Sequence, residues 1–127
     1  MLNGIPDNDL TSGVNYRVIR YADVLLMAAE AHNQLGNDVD AVDYLNQVRQ
    51  RVGMPARTST GNDLYEHILK ERRSELSCEG HRFFDLVRTG KASDVITDFQ
   101  TGKHELFPIP QVEIDLAGGN WPQNPGY

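Results

Sequence analysis

From Tyr21 to Leu35, apolar and small residues run almost all the way round a 3.6-residue period. Val24, Ala28, Ala31 and Leu35 fall on one face and Leu25, Ala29 and His32 on the next. Only Asp23, Glu30 and Gln34 remain for a narrow polar stripe, so the pattern predicts a helix packed on two sides. Gly36 stands where a left-handed residue ends a helix, and Asn37 or Asp38 can cap the next one. Between Asp38 and Val52, the residues Ala41, Leu45, Val48 and Val52 make one apolar stripe with Tyr44 at its edge, and Gly53 and Pro55 stop it. Two helices of about four turns joined so tightly fold back antiparallel. Small Ala29 and Ala41 allow close approach, and the hairpin is similar to one tetratricopeptide unit. A lone unit cannot cover its own faces, so the rest of the chain or further units must do so.

A polar stretch from Ala56 to Asn62 leads to a third helix, expected from Asp63 to about Glu79 and opened by the capping spacing Asp63-x-x-Glu66. Gly80 interrupts it. A short helix from His81 to Val87 follows, with Phe83 and Phe84 expected in the core, and Gly90 ends it. Pro108, Pro110, Pro122 and Pro125 exclude long regular structure from the remainder. The first twenty residues, broken by Gly4, Pro6, Asp7, Asn8, Asp9, Ser12 and Gly13, read as a surface entry segment. The expectation is an all-α fold, with four helices and an extended Pro-rich tail in a single domain over residues 1–127.

The chain's 127 residues suit one core, and 39% hydrophobic content is enough to build it. With 18 acidic against 12 basic residues, the net charge of −6 argues against a nucleic-acid partner or an anionic lipid surface. One cysteine, Cys78, cannot close a disulfide within the chain. The stretch MLNGIPDNDLTSGVNYRVIR has no export pattern, which leaves a cytoplasmic protein or a piece of a longer one.

The third helix carries the most suggestive chemistry. On its wheel Arg72 and Glu79 fall in the middle of the apolar face made by Leu64, Tyr65, Ile68, Leu69 and Leu76. Charges at such positions must be paired, since an isolated buried charge costs several kcal/mol or more. One reading makes Glu75 and Glu79 a catalytic carboxylate pair with Arg72 as anion binder. The preferred one is a structural charge network of Arg72, Glu79, Arg82 and Asp85, because no nucleophile or second acid stands at a matching spacing. His67, Glu71, Glu75 and Glu79 recur every four residues, but the Glu-x-x-His spacing of a dimetal bundle is absent, and no metal is expected. Cys78 has no ligand partner and reads as inert. Among the aromatic residues Tyr16, Tyr65, Trp121 and Tyr127, Trp121 in GGNWPQNPGY is a weak candidate for stacking on a sugar. No phosphate loop or nucleophile elbow is present, and no cofactor is implied.

Several strings taken in order are more specific. NYRVIRYADVLLMAAEAHNQLGN, LNQVRQRVGMP, ILKERRSELSCEGHRFFDLVRTGK, LFPIPQVEIDL and QNPGY closely resemble the C-terminal part of the SusD/RagB family, from about Asn15 to Tyr127. Thr89 stands where many relatives have Trp. Members of this family are surface-exposed outer-membrane lipoproteins that bind nutrients, chiefly glycans, and act as lids on a TonB-dependent, SusC-like transporter. The resemblance implies an all-helical, non-catalytic binding protein and a fragment of a longer parent, whose lipid anchor and most sugar-contacting residues lie elsewhere. It also casts the Arg72 cluster as architecture. The alternative is a tetratricopeptide-like module that binds a protein partner.

Overall fold

Glycines placed just past each helical stripe determine where the chain turns. The computed structural model describes residues 17–127; the entry segment through Tyr16 lies outside the described residues. Among these the helices are α1 (Tyr21–Gln34), α2 (Asp38–Arg51), α3 (Gly61–Glu75), α4 (His81–Arg88), α5 (Ala92–Val95) and α6 (Gln111–Leu116), with no strand. The chain divides into two compact units, Met1–Leu76 and Ser77–Tyr127.

In the first unit α1 closes with a Schellman motif. Gly36, at φ 79°, lets the Asn37 N–H reach back to the His32 carbonyl at 2.8 Å while its own N–H bonds Asn33 at 3.0 Å. The same closure recurs at α2, where Gly53 has φ 71° and the Met54 N–H bonds the Arg49 carbonyl at 3.0 Å. Between them α1 and α2 form the expected hairpin, and α1 also packs on α3. The core is Ala22, Leu25, Leu26, Ala29, Ala41, Leu45, Val48, Leu64 and Ile68, with Val42 and Tyr44 against it. Ala29 and Ala41 are fully buried, as close helix approach requires.

One face of α1 differs from expectation. Val24 is 43% exposed and Leu35 76%, whereas Asp23, assigned to the polar stripe, is buried. A helix apolar nearly all round does not indicate which side its neighbours will cover; α2 and α3 pack on the side that carries Leu25, Leu26 and Ala29, and Arg72 of α3 reaches Asp23 there. Val52, at the end of the α2 stripe, is likewise exposed.

The start of α3 is not the capping box. Thr60 precedes the helix and makes no side-chain cap bond, so Asp63 sits in the first turn, where its carboxylate complements the helix dipole. Nor does Asn37 or Asp38 cap α2 through its side chain; the Asp38 carboxylate accepts from the Asn33 amide at 2.8 Å and from the Gly61 N–H at 2.6 Å. Asn33 also donates to the Gly61 carbonyl at 2.9 Å. One side-chain clamp therefore joins the end of α1, the start of α2 and the start of α3. The far end of α3 is Glu75 rather than Glu79, because Cys78 and Gly80 both take positive φ in the turns that follow.

In the second unit α4 ends at another Schellman closure, with Gly90 at φ 68° and the Lys91 N–H on the Leu86 carbonyl at 2.9 Å. Leu86 and Ala92 are buried, but Phe84 is 63% exposed and does not belong to a core. Phe83 is half-buried, its ring centroid 5.7 Å from that of Phe84 and 6.1 Å from that of Phe107. The Pro-rich tail holds the short helix α6 and is fastened by side chains in place of a sheet. Gln123 both accepts from the Ile109 N–H at 2.7 Å and donates to its carbonyl at 2.8 Å. Asn124 donates to the Phe107 carbonyl at 2.7 Å, and the Tyr127 hydroxyl to the Leu106 carbonyl at 3.1 Å. LFPIP and QNPGY are thus two halves of one strap.

Candidate functional site

Arginine–carboxylate contacts organise the charged residues of the first unit. Arg72, near the end of α3, donates from Nη1 to Asp23 Oδ1 of α1 at 2.8 Å, and both side chains are less than a tenth exposed. Arg49 of α2 holds Glu71 of α3 and sends its Nε to the Pro55 carbonyl at 2.9 Å. Glu75 receives two guanidinium groups: Arg20 at 2.9 Å, and Arg51 at 2.8 and 2.7 Å on its two oxygens. Arg20 also donates to the Glu75 main-chain carbonyl at 2.9 Å.

This arrangement bears on the catalytic reading. Both oxygens of Glu75 are taken by N–H donors, so the carboxylate is not presented to a substrate as a proton acceptor. Glu79 lies half-buried in the turns beyond α3, off the helical wheel on which it stood beside Arg72. Arg82 is exposed; Asp85 is buried and accepts from Arg88 Nε at 2.8 Å, while the Thr89 hydroxyl donates to the Asp85 carbonyl at 2.7 Å. Arg72 thus belongs to the first unit, and Glu79, Arg82 and Asp85 belong to the second. Cys78 is exposed and free. Trp121 is 54% exposed, just after α6.

The residues that spacing did not reveal are Asp23, Arg20 and the Asn33–Asp38 clamp. Asp23 had a signal: a lone carboxylate within Ala22, Val24, Leu25 and Leu26 has few ways to stay charged unless a cation reaches it. Arg20 had none, since its partner is 55 residues away. Glu105 of the second unit has a clear electrostatic perturbation. The Gly102 N–H lies 3.0 and 2.8 Å from its two oxygens and holds its carboxyl below the ordinary range, with its own backbone N–H adding to the effect.

The model of the SusD family matches residues 2–105. A SusD-like protein of Formosa agariphila is 42% identical over 65% of this chain and 18% of its own length. A second from the same organism is 32% identical over 95% of the chain and 28% of its own length. The crystal structure of a SusD homolog from Bacteroides thetaiotaomicron superposes with a TM-score of 0.77 at 34% identity, covering 85% of this chain and 25% of that one. The chain therefore spans between 18% and 28% of the length of these relatives.

Proposed function

The chain belongs to the SusD family, and on that premise we propose that it serves glycan binding in nutrient uptake, as the C-terminal helical portion of a receptor at the outer-membrane surface. The observation that supports this most directly is the ordered match of nearly the whole chain, with both the hairpin and the strap represented among the matching strings. In this reading the parent captures oligosaccharide and passes it to a SusC-like, TonB-dependent transporter, and membrane attachment is through a lipid anchor. The role is non-catalytic. Arg72, Glu79, Arg82 and Asp85 act architecturally, and Trp121 remains the sugar-stacking candidate of the tail. No helix among the described residues is long and apolar enough to cross a membrane.

Deleting the coding sequence in the native host and measuring growth on single polysaccharides tests the proposal. Growth should fail on one polysaccharide or a related group while growth on monosaccharides is unchanged; normal growth on every polysaccharide tried contradicts it. The second reading, a tetratricopeptide-like protein-interaction module, draws on the exposed side chains of Tyr21, Val24 and Met27 along α1.

A further inference from the structure

Between the C-terminal end of α2, the loop after it and the outer face of α3 lies a groove of about 380 Å³, within the range of small-molecule sites. Its polar lining is unusual for an acidic chain. Arg49 and Glu71 neutralise one another, and Glu75 is held by Arg20 and Arg51. Arg57 and Lys70 also line the groove, and neither side chain is bonded to any described residue. Counting Arg51, which also holds Glu75, four cations stand against two carboxylates, a local excess of two positive charges in a molecule of net charge −6.

The Arg57 guanidinium is the most telling of these. Its backbone is fixed, because the N–H donates to Asn46 Oδ1 at 2.7 Å and the carbonyl accepts from Asn46 Nδ2 at 2.9 Å. Its Nε is buried and makes no hydrogen bond, a state that folded proteins rarely leave uncompensated. A guanidinium positioned this way and already partly stripped of water binds a planar oxyanion at its outer nitrogens with less competition from solvent. His67, whose Nδ1 is 2.8 Å from the Ser59 hydroxyl, adds a polar ring, and exposed Val52 and Met54 give the groove an apolar wall. Cations beside a small apolar surface fit a sugar ring bearing a carboxylate better than a bare inorganic ion, which would use only the charges.

We propose that this groove binds a carboxylate-bearing oligosaccharide, with Arg57 and Lys70 as the anion-contacting residues. The inference rests on the glycan-binding reading and narrows it to acidic sugars at this site.

The test is calorimetry on the 127-residue chain with three probes: an oligogalacturonate, the same oligomer fully methyl-esterified, and sodium acetate. The acid should bind at least tenfold more tightly than the ester, weaken as salt is raised, and exceed acetate by a similar factor. Lys70→Gln and Arg57→Gln should each lower affinity for the acid at least fivefold and leave the melting temperature and ester binding unchanged. Lys70 is exposed, so its variant stays folded whatever Arg57→Gln does. Equal affinity for acid and ester, or acid affinity untouched by Lys70→Gln, would overturn the proposal. Acetate binding as tightly as the oligomer would reduce the groove to a general ion site and overturn it too. A strain that loses growth on a neutral polysaccharide, paired with a chain indifferent to the acid, refutes the groove alone and leaves the uptake reading standing.

Discussion

Arg72 and Asp23 meet across 49 residues of sequence in a setting from which water is largely excluded. Removing Arg72 leaves Asp23 charged and buried, which costs about 3–5 kcal/mol. Arg72→Ala and Asp23→Ala should therefore each lower the denaturant midpoint, Arg72→Ala by that equivalent, whereas Asp23→Leu with Arg72→Met together should lose less than Arg72→Ala, since Asp23 is then not left charged without its cation. Midpoints of both single variants within error of wild type would show the pair to be solvated. Glu105 gives a second prediction at this scale. Its carboxyl is held low in the folded chain by the Gly102 N–H, so its contribution to stability is present above the ordinary Glu range and is lost as pH falls through the lower folded value. A carboxyl-detected NMR titration should place its midpoint below that of a glutamate in a short peptide, and Glu105→Gln should flatten the acid limb of the stability curve. A midpoint at the peptide value would contradict the Gly102 contact.

The helical hairpin was legible because its signals are local: two apolar stripes at helical spacing, and Gly36 and Gly53 one residue past each C-cap. The cost of altering those closures is therefore predictable. A Cβ at either glycine would meet nothing within 4 Å, so Gly36→Ala and Gly53→Ala test backbone conformation alone and should destabilise by about 1–2 kcal/mol each. Thermal melts showing no loss would mean that the turns are not left-handed. Other features were hidden for identifiable reasons. The end of α3 depends on Cys78 adopting φ 65°, which nothing about a Ser-Cys-Glu sequence announces. The buried side of α1 was decided by the packing of α2 and α3 on it, which no local pattern announces. The α5 and α6 helices are four and six residues long, too short for a periodic pattern to show among prolines and glycines. The strap was invisible as structure, although both strings that form it stood out as motifs, because side-chain-to-backbone bonds have no period. That Arg72 reaches Asp23 was not legible, because the two stand 49 residues apart in sequence.

At the scale of the whole molecule, the sugar-facing chemistry of this chain is sparse. Glycan affinity arises from several aromatic platforms and polar groups converging on one concave surface. Here Trp121 is the sole tryptophan, and the tyrosine hydroxyl of Tyr127 is committed to the strap. Neutral oligosaccharides should accordingly bind the 127 residues with millimolar or weaker affinity, about −4 kcal/mol or less favourable. Micromolar binding abolished by Trp121→Ala would instead establish a site in the tail. The central claim concerns the assembly to which the chain contributes. The direct measurement is to tag the gene at its own locus, solubilise the envelope in mild detergent, purify the tagged protein and identify what accompanies it by mass spectrometry. The account predicts a TonB-dependent transporter barrel in near-stoichiometric amount in the outer-membrane fraction. Recovery of the tagged protein from the cytoplasm with a soluble protein partner and no such barrel would contradict it.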